Sequence, residues 1–406
     1  MYDLYGALIG NLSNYLYTYI LIILLVAGGI YFTVRTKFVQ FRYLKESLRV
    51  VLAPSEDDKA ISSFQALMVS TASRVGTGNI AGVSTAICLG GLGSLFWMWL
   101  TALLGMSTAF VEGTLAQIYK RRSDDGGCYG GPSYYIDQAI GKHWLGILFA
   151  VFMILTYMVG FNLVASFNIA DALRVVPGYA EHENLAKWII GAVLAVLFFI
   201  CISGGGKQIA GITEKVVPFM GFFYIAVAMF VIVTHITLLP GVFAEIFRNA
   251  FDVKAIFGGF TGSAVMLGIK RGLFSNEAGV GAAACAAGSA GVSHPVKQGM
   301  VQAVSVYVDT LLVCTATALM VLVTNSYNVV DPVTGENIVS YMGDVAAGAI
   351  YAQTAADSVL PGIGSPLVAI ALFFFAFTSL MAAYYIGETN VVYFMGDEKR
   401  EKMKPF

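Results

Sequence analysis

Residues 74–83 read RVGTGNIAGV and interrupt a long apolar segment with glycines, a cation and an amide. Residues 271–280 read RGLFSNEAGV and repeat the pattern R-x4-N-x-A-G-V at an offset of 197 residues. The same offset relates Glu112 to Asp309, the carboxylates deep in the apolar segments that follow. Because this second match lies in the same register, we interpret the chain as two structural repeats.

The composition predicts a protein surrounded by lipid. Of the 406 residues, 57% are apolar and only 12% are charged, whereas a soluble domain carries roughly 25% charged residues. A net charge of −1 gives no basic surface for nucleic acid. The five cysteines lack CxxC spacing and the four histidines are scattered, so we predict neither a disulfide framework nor a metal cluster.

Nine apolar segments approach or exceed the length of about 20 residues that a helix needs to cross the hydrocarbon core. They cover residues 15–34, 62–89, 95–119, 144–170, 188–202, 216–239, 260–287, 299–324 and 365–386. Of the 24 Lys and Arg residues, 17 fall on one side of these segments and 4 on the other. The positive-inside rule therefore predicts that the N-terminus lies outside and residue 406 in the cytoplasm, and we expect the membrane to be the plasma membrane.

The two interrupted segments run in opposite directions because five spans, an odd number, separate equivalent points. We therefore predict an all-α integral membrane protein with inverted repeats and discontinuous second and seventh spans. The predicted organisation is an extra N-terminal helix with a basic connector (1–50), a first five-helix repeat (51–240) and a second inverted repeat (241–406). Inverted repeats with paired broken helices are typical of alternating-access transporters.

Unwound backbone within a membrane survives only where a cavity or a ligand satisfies its polar groups. Gly76 and Gly78 permit unwinding, and the amides exposed at a half-helix N-terminus suit a carboxylate. Freed carbonyls on the other side of the break suit Na⁺. The alternative is that the glycines only allow close helix packing, but packing alone would not need Arg74 and Asn79 beside them.

The sequence resembles the alanine or glycine:cation symporter family, which has the leucine-transporter-like fold. The resemblance rests on residues 76–83 (GTGNIAGV), 90–105 (GGLGSLFWMWLTALLG), 130–136 (GGPSYYI) and 271–287 (RGLFSNEAGVGAAACAA). It implies transport of alanine or glycine coupled to Na⁺, or in some members to H⁺. The family pattern has eleven spans, so we expect this chain to lack the last two helices of the second repeat.

The resemblance also implies roles for individual residues. A substrate site would be formed by Gly76, Thr77, Gly78, Asn79, Phe167, Phe274, Ser275 and Asn276, with Asn162, Ser166 and Asn168 as further candidates on the fourth span. A sodium site would combine the carbonyls of Ala72 and Val75 with the hydroxyls of Thr378 and Ser379, hard oxygen donors that suit a small cation. The alternative for this hydroxyl pair is helix–helix contact. Phe375, with Phe167 and Phe274, would restrict the pocket to small side chains.

Charges within a membrane are costly and therefore mark functional or structural pairs. The candidates are Arg74, Glu112, Arg271, Glu277 and Asp309. For Arg74, Glu112, Arg271 and Asp309 we favour structural ion pairs that fix the broken helices, with a cytoplasmic gate as the alternative.

The close-spaced nucleophile, base or metal set of an enzyme is not apparent. We therefore predict a sodium-coupled symporter of small amino acids, without an obligate protein partner. A proton-coupled permease of the same fold is the main alternative, and a channel is less favoured because channels usually assemble as symmetric oligomers.

Overall fold

A computed structural model describes residues 2–54, 57, 60–122, 127–175, 179–251, 264–331 and 334–395. Three parts of the sequence predictions lie outside this range. They are the charge assignments of Lys59 and Lys254, the first residues of the seventh span (260–263), and the basic tail with the C-terminus (396–406).

The described chain is helical apart from four short strands. The main helices are α1 (Leu8–Arg35), α2 (Leu44–Val51), α3 (Ser63–Arg74), α4 (Ala81–Gly90), α5 (Ser94–Ile118), α6 (His143–Ala172), α7 (Glu183–Ile202), α8 (Gly205–Thr234), α9 (Leu239–Ala250), α10 (Ala264–Asn276), α11 (Ala282–Gly288), α12 (Pro295–Val323), α13 (Ala349–Asp357) and α14 (Gly364–Met395). Single turns lie at Val39–Arg42, Pro132–Tyr135 and Ile136–Ile140. Two antiparallel pairs join β1 (Arg121–Arg122) to β2 (Cys128–Tyr129) and β3 (Asn328–Val330) to β4 (Asn337–Ser340).

Within the described part of the chain, seven helices are long and apolar enough to cross a membrane, namely α1, α5, α6, α7, α8, α12 and α14. The second predicted span is instead divided between α3 and α4, and the described part of the seventh between α10 and α11. Both predicted interruptions are therefore present. Large apolar side chains are exposed on these helices: Trp188 of α7 is 79% exposed and Phe222 of α8 is 78% exposed. Such exposure is favourable in lipid and not in water.

Helices α5 and α12 approach each other through small residues. A β-carbon at Gly113 would lie 2.9 Å from the Gln302 side chain, and one at Gly299 would collide with the Phe110 carbonyl. Close backbone approach through glycine is a common way to join helices in lipid. This contact holds α5, which carries Glu112, beside α12, which carries Asp309.

The main core fills the space between the broken helix α3–α4 and helices α8, α12 and α14. Tyr224 of α8 is fully buried and contacts the Phe375 ring edge-on at a centroid distance of 5.3 Å. Its hydroxyl also bonds to Thr317 of α12 at 2.6 Å. The start of α3 is fixed by a capping box in which Ser62 and Gln65 exchange hydrogen bonds of 3.0 Å.

Candidate functional site

The first break begins where α3 ends at Arg74. Gly76 is extended (φ −120°, ψ −162°) and leads into a single 3₁₀ turn, Thr77–Asn79, before α4 starts at Ala81. The Asn79 side chain accepts a hydrogen bond from the Gly76 amide at 3.1 Å, so it replaces a lost helical bond. The first amides of a helical segment have no carbonyl partner within it, and among the described residues those of Thr77 and Gly78 have no backbone acceptor.

The glycines of this break allow close contacts as well as unwinding. A β-carbon at Gly76 would lie 2.7 Å from the Ser379 hydroxyl. At Gly78 or Gly82 it would collide with the guanidinium of Arg271. The predicted unwinding and the alternative of close packing therefore both apply to these residues.

The second break lies between α10 and α11 and depends on positive φ angles. Glu277 has φ 48°, Gly279 φ 93° and Gly281 φ 97°, a region that glycine adopts without steric cost. The Glu112 carboxylate of α5 accepts a hydrogen bond from the Gly279 amide at 2.9 Å. This bond satisfies an amide that the broken helix frees.

Asp309 links the two breaks. Its carboxylate accepts hydrogen bonds from Asn79 at 2.6 Å, from Ser275 at 2.8 Å and from Thr310 at 2.6 Å. Asn79 belongs to the first break, whereas Ser275 lies in the last turn of α10 before the second. Asp309 itself lies within a π-helical stretch of α12, Tyr307–Cys314, and such stretches are frequent at functional sites.

A cavity of about 340 Å³ lies between the two breaks. Its size falls within the range of roughly 300–1,000 Å³ that ligand sites occupy. The broken helices contribute most of its polar lining, α6 contributes aromatic side chains, and the loop before α13 contributes one edge. The residues are Ser73, Arg74, Gly76, Thr77, Gly78, Ala81, Gly82, Thr85, Phe161, Val164, Ala165, Phe167, Asn168, Asp171, Arg271, Phe274, Ser275, Glu277, Ala347, Gly348, Ala349 and Ser379.

Six of the eight residues predicted to bind substrate line this cavity, namely Gly76, Thr77, Gly78, Phe167, Phe274 and Ser275. The structure buries the other two outside the lining. Asn79 holds the first break, and the Asn276 side chain accepts a bond from the Ala278 amide at 2.9 Å. Phe375 was expected to form a wall of the pocket, which is wrong because it is fully buried against Tyr224 in the core.

The predicted sodium ligands are brought together in part. The Ser379 hydroxyl donates to the Ala72 carbonyl at 3.0 Å and faces the cavity. Val75 follows α3 at the start of the break. The Thr378 hydroxyl instead bonds to the Phe374 carbonyl of its own helix at 2.9 Å.

The predicted ion pairs are not formed in this conformation. Among the described residues, every ion pair joins side chains outside the buried group of Arg74, Glu112, Arg271, Glu277 and Asp309. Hydrogen bonds replace the expected pairs, as between Glu277 and Ser73 at 2.7 Å. The structural or gating role of the five charges stays a prediction.

Some lining residues were not predicted from the sequence. Phe161 stacks between Tyr157 and Phe274, at centroid distances of 4.9 and 5.9 Å. No local pattern marks Phe161, because apolar residues surround it on α6. Asn168, which was a candidate, bonds to the Thr77 hydroxyl at 2.9 Å, whereas the candidates Asn162 and Ser166 lie outside the lining. Of the residues 347–349, only Gly348 carried a sequence signal, because glycine often marks a turn before a helix.

Comparison with known proteins agrees with this architecture. A model of the sodium:alanine symporter family matches residues 2–405. A putative sodium/proton-dependent alanine carrier protein of Bacillus subtilis (strain 168) is 45% identical over 95% of this chain and 78% of its own. A probable sodium/glutamine symporter of the same strain is 42% identical over 95% and 76%.

A more distant relative extends the family to archaea. A sodium/alanine symporter of Methanococcus maripaludis is 35% identical over 96% of this chain and 84% of its own. The names of these relatives are those of transporters and not of enzymes. Together with seven helices long and apolar enough to cross a membrane, the match over nearly the whole chain identifies a multi-pass membrane protein that belongs to the sodium:alanine symporter family.

Proposed function

We propose that this protein is a secondary active transporter that carries a small neutral amino acid, alanine or glycine, together with Na⁺. The observation that supports this most directly is the cavity enclosed by both helix breaks. In inverted-repeat transporters, substrate and cation bind at such paired breaks, and rocking of one repeat against the other alternates access. The N-terminus is proposed to lie outside the plasma membrane, as the distribution of basic residues predicts.

The amino acid would be held by groups of both breaks. The amides of Thr77 and Gly78 and the N-terminal end of α4 favour its carboxylate. Ser275 and Phe274 of α10 line the opposite side, where carbonyls freed at the break accept hydrogen bonds from the ammonium group.

The cation would bind next to the first break. Ser379 of α14 already lies 3.0 Å from the Ala72 carbonyl, and Val75 offers a second carbonyl at the end of α3. These are hard oxygen donors, which suit Na⁺. Thr378 would join them after its hydroxyl leaves the Phe374 carbonyl.

A second candidate is coupling to H⁺, either instead of Na⁺ or beside it. Glu277 lines the cavity and accepts a hydrogen bond from Ser73 at 2.7 Å. A carboxylate in contact with the substrate space can carry a proton across the membrane. One relative is named a sodium/proton-dependent carrier, which is consistent with either ion.

Uptake into proteoliposomes tests both candidates. Purified protein would be reconstituted, and radiolabelled L-alanine uptake measured under an inward Na⁺ gradient, an inward H⁺ gradient, or neither, with protein-free liposomes as the control. Accumulation driven by Na⁺ alone supports sodium symport, and accumulation driven by the H⁺ gradient alone supports the second candidate. Equal uptake with and without gradients would contradict coupled transport.

Substrate size is tested in the same vesicles. Phe161, Phe167 and Phe274 line one side of the cavity, so extra methylenes should cost about 1–3 kcal/mol. That corresponds to leucine competing about tenfold or more weakly than alanine. Because one relative is named a sodium/glutamine symporter, glutamine belongs in the competition series with glycine, valine and leucine. Leucine or glutamine competing as well as alanine would contradict a small pocket.

A further inference from the structure

Arg271 is a cation on the cavity wall that has no hydrogen-bond or ion-pair partner among the described residues. It lies in the penultimate turn of α10 and lines the cavity. Within the described part of the chain, its guanidinium makes neither a hydrogen bond nor an ion pair, and its Nε atom is buried without an acceptor. A buried donor without an acceptor is costly, and the two Nη atoms are not buried, so a ligand in the cavity can reach them.

The position of the guanidinium makes its electrostatic environment still less favourable. A β-carbon placed on Gly82 would lie 2.5 Å from the Arg271 Cζ, and one on Gly78 would lie 3.2 Å from it. The guanidinium therefore lies against the first turn of α4, where the helix dipole is positive. Two positive groups in contact beside a cavity are stabilised by an anion that reaches both of them.

The buried carboxylates among the described residues do not supply that anion, and Asp171 on the cavity wall pairs with Arg174 at 3.2 Å. Asp309 already accepts three hydrogen bonds, from Asn79, Ser275 and Thr310. Glu112 accepts from the Gly279 amide and Glu277 from Ser73. Each of these acids has its own donor, whereas Arg271 has no acceptor among the described residues.

Aromatic packing holds the Arg271 side chain in place. Its guanidinium lies 5.2 Å from the centre of the Phe274 ring, and Phe274 stacks on Phe161, which stacks on Tyr157. A cation over an aromatic face is stabilised without using its N–H groups. The guanidinium is thus oriented while its donors remain free.

We propose that Arg271 binds the carboxylate of the transported amino acid and so selects for substrates that carry one. This assignment rests on the proposed function and deepens it, because it gives the site a charged ligand in addition to the backbone amides of the first break. Arginine presents its donors in a planar fork that matches a carboxylate.

The test compares two ligands in two proteins. L-Alanine and L-alaninamide share the ammonium and methyl groups, but the amide lacks the carboxylate. Their affinities would be measured by isothermal titration with purified protein in saturating NaCl, for the wild type and for Arg271→Gln. Lys270→Gln is the matched control, because Lys270 is the adjacent cation, contacts Asn14 at 3.4 Å and lies outside the cavity lining.

The wild type should prefer alanine over alaninamide, and Arg271→Gln should weaken alanine binding by about 10- to 100-fold, the range for a hydrogen bond to a charged group. Alaninamide binding should change by less than about threefold, so the variant should lose the preference for alanine over alaninamide. Lys270→Gln should keep the wild-type preference. Arg271→Lys, which keeps the charge but loses the fork, should fall between wild type and Arg271→Gln and serves if the latter does not fold.

Two outcomes would overturn the assignment. If Arg271→Gln weakened both ligands by the same factor, the residue would be structural and the proposed function would stand. If it bound alanine as tightly as the wild type, Arg271 would not contact the substrate. Failure of the wild type to bind either ligand would instead contradict the proposed function itself.

Discussion

The hydrogen bonds of Asn79 offer a direct test of how the first break is held. Its amide nitrogen donates to the Asp309 carboxylate at 2.6 Å, and its amide oxygen accepts from the Gly76 backbone at 3.1 Å. The side chain is fully buried and lies outside the cavity lining. We therefore expect Asn79→Ala to weaken substrate binding indirectly, by allowing the break to adopt other conformations.

The magnitude follows from the bonds removed. A hydrogen bond to a charged group contributes about 1.5–3 kcal/mol and a neutral one about 0.5–1.5 kcal/mol. Asp309 keeps its bonds from Ser275 and Thr310, so the loss should lie in the lower half of the combined range, about 2–3 kcal/mol. If only a fraction of the molecules holds the break in its binding-competent conformation, the apparent affinity for alanine falls by that fraction. Alanine should then bind at least about tenfold more weakly.

The assay is a double-mutant cycle on alanine affinity with Asn79→Ala, Asp309→Asn and the pair. Residues joined by one bond should show a coupling of about 0.5–3 kcal/mol. Asn249→Ala is the control, because Asn249 is exposed and its side chain bonds, among the described residues, to the Glu245 carbonyl of its own helix. If the two single changes had additive effects on the free energy of alanine binding, to within about 0.5 kcal/mol, the reasoning would be refuted. Wild-type affinity in Asn79→Ala would refute it as well.

Two further predictions use substitutions at the cavity. Gly78→Val should fold but bind alanine at least about tenfold more weakly, because the valine side chain would displace the Arg271 guanidinium from its place in the cavity. Gly221→Ala, whose β-carbon meets open space, should bind alanine normally, and equal affinities of the two variants would contradict the site. Ser379→Ala should raise the Na⁺ concentration for half-maximal uptake more than Thr378→Ala does, since only Ser379 contacts Ala72. A sodium titration in which Thr378→Ala raised the half-maximal Na⁺ concentration more than Ser379→Ala would contradict this placement of the cation.

The breaks and their register were predictable from the sequence because their causes are local. Glycines and charges within apolar segments identify where a helix cannot continue, and the matching offset of Glu112 and Asp309 fixes the next helix as well. The family resemblance placed Thr77, Gly78 and Ser275 at the predicted substrate site, and the structure brings them to one cavity. Spans could be counted because lipid demands long apolar segments.

Side-chain direction was not predictable, because it depends on how helices rotate against each other. Phe375 and Phe274 look alike in the sequence, yet one lies in the core and the other lines the cavity. Asn79 and Asn276 occupy equivalent repeat positions, and both serve the backbone of their breaks rather than the cavity wall. The loop before α13 reaches the cavity through residues far from either motif, which only the tertiary structure can reveal.

The repeat also explains why its two arginines need not share a role. Arg74 is 3% exposed and anchored to α12, donating to the Ser305 hydroxyl and to the Gln302 carbonyl at 3.3 Å. Arg271, its equivalent at an offset of 197 residues, rests on an aromatic ring, and its donors remain free among the described residues. A duplicated cation that is fixed to the scaffold in one repeat can serve as an anchor, and its copy is then free to contact a ligand. The two breaks thus share a backbone pattern, whereas their arginines have different surroundings, one bonded to α12 and the other placed on an aromatic ring.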